Sequence, residues 1–270
     1  MRAGHGLILL CVFTGWALDA KAASLHYLAL GDSISKGAGT THLCAPRTPV
    51  QMKQGAPDNP CSHGTSWADR FANTLAAHQD VVYQNVAESG YTTRNLIDKE
   101  LPMIDGTPNL ISVFIGTNDF KEMGTAYNDG YNRPDDFEHF HRQFRSIIET
   151  LQSRFPNAEI LILNVPNTGI LPYFSTHYHW SESVMSFERK MAQRGNLETI
   201  HPFAKKGQHR IGVVDLTCDP VHYQDKNLND GLHPNDAGAE YIAEKVYRFY
   251  KTEEARRTEP SSFCPPYLDR

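Results

Sequence analysis

The stretch Tyr27-Leu28-Ala29-Leu30-Gly31-Asp32-Ser33-Ile34-Ser35-Lys36-Gly37 decides the reading of this chain. An apolar run suited to a buried strand ends at Gly31, and a serine follows in a small, polar, glycine-flanked turn. Working outward, Asn229-Asp230-Gly231-Leu232-His233-Pro234-Asn235 places a carboxylate three residues before a histidine. A serine at a strand end and a histidine that a carboxylate can orient are the minimum set for acyl transfer through a serine nucleophile. The elbow pattern G-x-S-x-G fails, because Ser35 stands where its second glycine belongs. A hydrolase built on this turn is therefore not of the α/β-hydrolase type.

Strand-like and helix-like segments alternate along the chain, the pattern of an α/β layer fold with a parallel sheet. Strands are predicted over 25–30, 81–86, 110–115, 160–164 and 211–216. The best helix is predicted over 135–155, where Phe137, Phe140, Phe144, Ile147, Ile148, Leu151 and Phe155 recur at three and four residues. Pro134 suits its start and Pro156 its stop. Further helices are predicted over 67–77, 183–193 and 236–250. Two connections are long: 38–66, with prolines 46, 49, 57 and 60, and 166–183, with Tyr173, Phe174, His177, Tyr178, His179 and Trp180. The second reads either as a wall of a substrate cleft or as packing on the sheet rim.

Three further blocks accompany the serine turn: Asn85-Val86-Ala87-Glu88-Ser89-Gly90, Ile115-Gly116-Thr117-Asn118-Asp119 and Asp230-Gly231-Leu232-His233-Pro234. Together, in this order, the four resemble the SGNH, or GDSL, hydrolase superfamily, with Ile34 standing where many members have leucine. The resemblance implies a three-layer α/β/α fold with a central parallel sheet, similar to flavodoxin. It implies a Ser33, His233 and Asp230 triad, and an oxyanion hole made by the backbone N–H groups of Ser33 and Gly90 and the side-chain amide of Asn118. Asp32 has a different expected task, as an acceptor that pins the turn. No cofactor and no catalytic metal are expected. His139 and His141 lie at i, i+2 of the best helix and point apart, and His177 and His179 lack a third ligand.

A chain of 270 residues with 40% hydrophobic content fits one sizeable domain. Residues 1–23 read as a secretory signal peptide, with Arg2 ahead of the apolar run 7–13 and Ala20-Lys21-Ala22 at the cleavage spacing. Residues 24–270 then form a single domain of a secreted protein, and no second long apolar run suggests a membrane span. Removing Arg2, Lys21 and Asp19 takes the formal charge from −5 to −6, which argues against nucleic acid. Four cysteines remain, Cys44, Cys61, Cys218 and Cys264. Export makes disulfides the expectation, and of three pairings Cys44–Cys61 with Cys218–Cys264 is preferred, the first because both lie in one loop.

The expected function is a secreted serine esterase or lipase-like hydrolase acting on a small-molecule or lipid ester. A carbohydrate O-acetyl esterase is the alternative within the same chemistry. A non-catalytic binding protein on the same scaffold is the alternative of another class, and an intact Ser33, Asp230 and His233 argue against it.

Overall fold

The computed structural model describes residues 24–41, 65–131, 134–204, 210–217 and 227–252. Segment 1–23, most of the 38–66 loop, the four mature cysteines and the pairing expected among them lie outside the described residues.

Among the described residues, five strands form one parallel sheet: β1 (Leu25–Gly31), β2 (Val81–Asn85), β3 (Leu110–Phe114), β4 (Glu159–Leu163) and β5 (Ile211–Val214). Their order is β2-β1-β3-β4-β5, with β1 paired to both β2 and β3. The chain runs outward in both directions from the β1/β3 pair, and in such sheets the crevice beyond that pair is where ligands bind.

The strands read as near-continuous apolar runs because both faces are covered. Leu28, Leu30, Ile111, Val113, Ile160, Ile162, Ile211 and Val213 fill one face. Tyr27, Ala29, Leu110, Phe114, Leu161, Leu163 and Val214 fill the other, in alternation along each strand. α1 (Ser33–Lys36) follows β1, and α2 (Trp67–Ala76) covers the second face. α2 starts in a reciprocal cap: Ser66 Oγ accepts the Asp69 N–H at 3.1 Å, and Asp69 Oδ2 accepts the Ser66 N–H at 2.9 Å. The first face carries α3 (Thr117–Asn128) and α4 (Pro134–Arg154), with α5 (Pro172–His177) and α6 (Glu182–Arg194) beyond them. α7 (Asp236–Lys251) returns to the second face beside α2, where Arg70 pairs with Asp236 and Glu240 at 2.8 Å each. This is the expected three-layer α/β/α architecture.

The predicted stripe of α4 is buried throughout, and Phe140, Phe144 and Phe203 form a chain of tilted ring contacts in its core. Phe144→Ala is expected to cost about 3–5 kcal/mol, from lost transfer energy plus a residual cavity. Chemical denaturation checks it; a loss below 1 kcal/mol would place Phe144 outside the core.

Among the described residues, three of the labelled helices were not predicted: the four-residue α1, α3 and α5. α3 runs through Thr117-Asn118-Asp119-Phe120-Lys121-Glu122-Met123-Gly124, where Phe120 and Met123 are the buried large apolar side chains, too sparse a stripe to register. α5 and the turn Thr168–Ile170 fall within the 166–183 connection, and their lengths, six and three residues, are too short for a period.

Candidate active site

The serine turn is built by Asp32. Buried to 1% exposure, it caps α1 with Oδ1 accepting the Ile34 N–H at 3.0 Å, so Ser33 becomes the first residue of the helix. This is the pinning task expected of it. Burial, set against the Ile34 N–H, His233 and Thr117, pushes its carboxyl up to about 6.

Two hundred residues later the second turn arrives beside it. Asp230 Oδ1 accepts the N–H groups of Leu232 at 3.0 Å and His233 at 2.8 Å, which closes the turn and aims both side chains together. Asn229 N–H reaches the His233 carbonyl at 2.8 Å, and a bridge joins Leu228 to Pro234. Asp230 Oδ2 then lies 2.7 Å from His233 Nδ1, and His233 Nε2 lies 2.9 Å from Ser33 Oγ. A carboxylate only accepts, so Nδ1 carries the proton and Nε2 is left to accept from the serine hydroxyl. Burial would raise the Asp230 carboxyl. The His233 ring, its backbone N–H and that of Leu232 outweigh burial and hold the carboxyl well below the usual range. At Gly39 a Cβ would fall 2.7 Å from the His233 Cβ, so only glycine lets the two turns pack this closely.

The glycine block and Asn118 meet at the same edge. Gly90 sits at φ +79°, a backbone that favours glycine. Asn118 Nδ2 donates to the carbonyl of the next residue, Tyr91, at 2.9 Å, which leaves the amide's other N–H for a second acceptor. Asp119 reaches the same strand-to-helix junction, accepting the Thr93 N–H at 3.0 Å and its hydroxyl at 2.5 Å. The Glu88 N–H bonds the Gly31 carbonyl at 3.2 Å, and Asn85 Nδ2 bonds the Ser35 carbonyl at 2.9 Å.

These contacts bring all five expected site residues to one end of the sheet. A family model described as GDSL-like lipase/acylhydrolase matches residues 29–241, a span that contains every one of them. The chain belongs to the GDSL-like lipase/acylhydrolase family. A GDSL esterase/lipase of Arabidopsis thaliana is 25% identical over 202 residues, covering 69% of this chain and 79% of the relative. Among solved structures, phospholipase A1 from Streptomyces albidoflavus NA297 superposes with a TM-score of 0.55 at 17% identity. It covers 84% of this chain and 99% of its own. The lipase Lip_vut3 from a goat rumen metagenome gives 0.53 at 17% identity, over 83% and 97% of the two chains. Both structural likenesses bear on the fold. As a GDSL hydrolase the protein acts on carboxylic esters.

This GDSL hydrolase also carries site residues the sequence did not announce. Glu100 is fully buried, and its Oε2 accepts the Gly31 N–H at 2.9 Å, directly beneath the serine turn. Lys36 on α1 pairs with Glu88, tying the serine helix to the glycine block. Neither residue belongs to a recognisable pattern, because a single carboxylate or cation in a sequence names no partner. His139 and His141 do point apart: His141 Nδ1 bonds Thr199 Oγ1 at 2.9 Å, while the His139 side chain is exposed. Among the described residues no group of three metal-ligating side chains comes together, and no helix is long and apolar enough to cross a membrane.

Several buried carboxyls in this GDSL fold are held above their ordinary values, each chiefly by burial. Asp32 is pushed up to about 6, Asp119 to about 7 and Glu188 to about 8, and Glu100 is pushed well up with help from Asp32 and Glu88. Such groups bind protons more tightly folded than unfolded. Their stabilising effect is therefore full below about 4 and fades as pH climbs through the raised values. Buried His201, lowered from 6.5 to about 4, acts oppositely but only below about 6.5. The melting temperature should therefore fall as pH rises from about 6.5 to about 8.5. Calorimetry across that window tests it, and a rise would contradict these assignments.

Proposed function

We propose that this GDSL hydrolase is an exported serine esterase of the lipase-like kind, working through an acyl-enzyme on Ser33. The observation that carries the reading is the unbroken relay from Asp230 through His233 to the Ser33 hydroxyl. As Ser33 Oγ attacks the ester carbonyl carbon, His233 Nε2 takes its proton, and Asp230 stabilises the imidazolium that forms. The carbonyl oxygen becomes an oxyanion facing the N–H groups of Ser33 and Gly90 and the free N–H of the Asn118 amide. Collapse of this intermediate breaks the bond to the alcohol oxygen, which receives the proton from Nε2. Water, deprotonated by the same nitrogen, then attacks the acyl-enzyme and releases the acid and Ser33.

The turn geometry supports these roles, since Asp230 both closes the turn and orients the imidazole. The name of the Arabidopsis relative, an esterase/lipase, supports carboxylic esters of fatty character as the substrate class. Export rests on the signal-like segment 1–23 and on the cysteine count.

An acyl-chain series of p-nitrophenyl esters, run beside acetylated xylan, tests the reading. Turnover of the alkanoyl esters is expected, falling on acidification because a protonated imidazole cannot take the serine proton. Release of acetate from xylan with no turnover of the alkanoyl esters would replace this reading with the carbohydrate O-acetyl esterase.

A further inference from the structure

The proton taken from Ser33 ends on the oxygen of the departing alcohol, so that oxygen must stand within hydrogen-bond reach of His233 Nε2. The rest of the alcohol then extends past the imidazole, away from the oxyanion donors. Along the sheet those donors follow β2, β1 and β3, whereas the His233 turn follows β5. The segment after β4 stands beside that turn, and it is the aromatic one.

Its placement is firm. The Tyr173 N–H bonds the Gly231 carbonyl at 3.3 Å, and a Cβ on Gly231 would fall 2.9 Å from that same nitrogen. α5 and the Asp230–His233 turn are thus in backbone contact. Phe174 is fully buried and stacks on Trp180 at 4.8 Å, within a cluster that includes Leu228 and Leu232 from the histidine turn. This anchors the helix against the histidine turn. Tyr173 is half-buried, with its ring 6.2 Å from the His233 ring at an interplanar angle of 73°. His177 stacks on Tyr173 at 4.4 Å, and Tyr178 lies 5.8 Å from it; both are exposed. Burial, then Tyr178 and Asp230, raises the Tyr173 hydroxyl above its ordinary value, so it stays a neutral phenol in working conditions.

We propose that Tyr173, extended by His177 and Tyr178, forms the subsite for the alcohol half of the ester and favours ring-bearing alcohols over small ones. The proposal rests on the assignment of Ser33 and His233 as the acyl-transfer pair. An aromatic contact made with the alcohol acts on one half of the substrate only, which gives it a signature that general loosening of the site lacks.

The test compares wild type, Tyr173→Ala and Tyr173→Phe on two ester sets. One holds the acyl group at acetyl and varies the alcohol through ethyl, cyclohexylmethyl and 2-phenylethyl, whose similar acidity keeps the leaving group constant. The other holds the alcohol at ethyl and varies the acyl group through acetyl, hexanoyl and phenylacetyl. Tyr173→Ala is expected to reduce the kcat/KM ratio of 2-phenylethyl to ethyl acetate roughly tenfold. Tyr173→Phe should preserve that ratio, and acyl-set ratios should stay within about twofold in both variants. If Tyr173→Ala does not fold, His177→Ala, which leaves the backbone bond to Gly231 intact, should lower the same ratio about threefold. An unchanged alcohol ratio, or a shift confined to the acyl set, overturns the subsite. A wild-type chain inactive on both sets sinks the acyl-transfer assignment itself, which separates the two failures.

Discussion

Ser33→Ala is expected to lower kcat for ester hydrolysis by about six orders of magnitude. Stability should stay within about 0.5 kcal/mol of wild type. The substitution deletes one hydroxyl, and the cap that shapes the turn belongs to Asp32, whose Oδ1 still receives the Ile34 N–H. His233→Ala should cost nearly as much, because the relay acts as a unit. Asp230→Ala should cost less in rate, about four orders of magnitude, since its part in chemistry is orientation and charge. It should also loosen the turn, because Oδ1 accepts two backbone N–H groups there. Steady-state kinetics paired with thermal melts separates the effects. Near-wild-type hydrolysis by Ser33→Ala would end the serine mechanism.

The second large effect concerns Asn118. If its amide donates to the oxyanion as proposed, replacement by alanine should lower kcat by about 100- to 1000-fold with KM nearly unchanged. The same amide bonds the Tyr91 carbonyl, which ties the start of α3 to the residue after Gly90. Part of the loss would then come through Gly90, the second proposed donor, and the two effects should not add. A raised KM with kcat intact would make Asn118 a ground-state binding residue instead.

Much of this could be read from the chain because the informative residues are local. Each strand is an apolar run a few residues long, and three of the five expected site residues, Ser33, Gly90 and Asn118, sit within a few positions of a strand end. The order of the four blocks then fixed which chemistry they serve. The aspartate and histidine were legible as a pair because one turn holds both, and that turn proves to be closed by the aspartate itself. What was not legible depends on distance along the sequence. Glu100 supports Gly31 from 69 positions away, and Lys36 finds Glu88 across 52. The aromatic connection over 166–183 left two readings open, and its residues differ in their placement. Phe174 and Trp180 pack inward, while Tyr173 stands beside His233. The α3 helix escaped notice because its apolar stripe is sparse and Gly124, which admits Trp180 and Glu188, interrupts it.

The central claim is that Ser33 is the nucleophile, and covalent labelling tests it most directly. The intact chain is incubated with a fluorophosphonate, whose phosphorus loses fluoride to an activated serine oxygen, and the adduct is then located by peptide mass mapping. The account predicts one adduct per chain, on the peptide bearing Gly31-Asp32-Ser33, formed in step with loss of esterase activity and slowed by a competing ester. An adduct on another serine, or full inactivation with Ser33 unmodified, would contradict it.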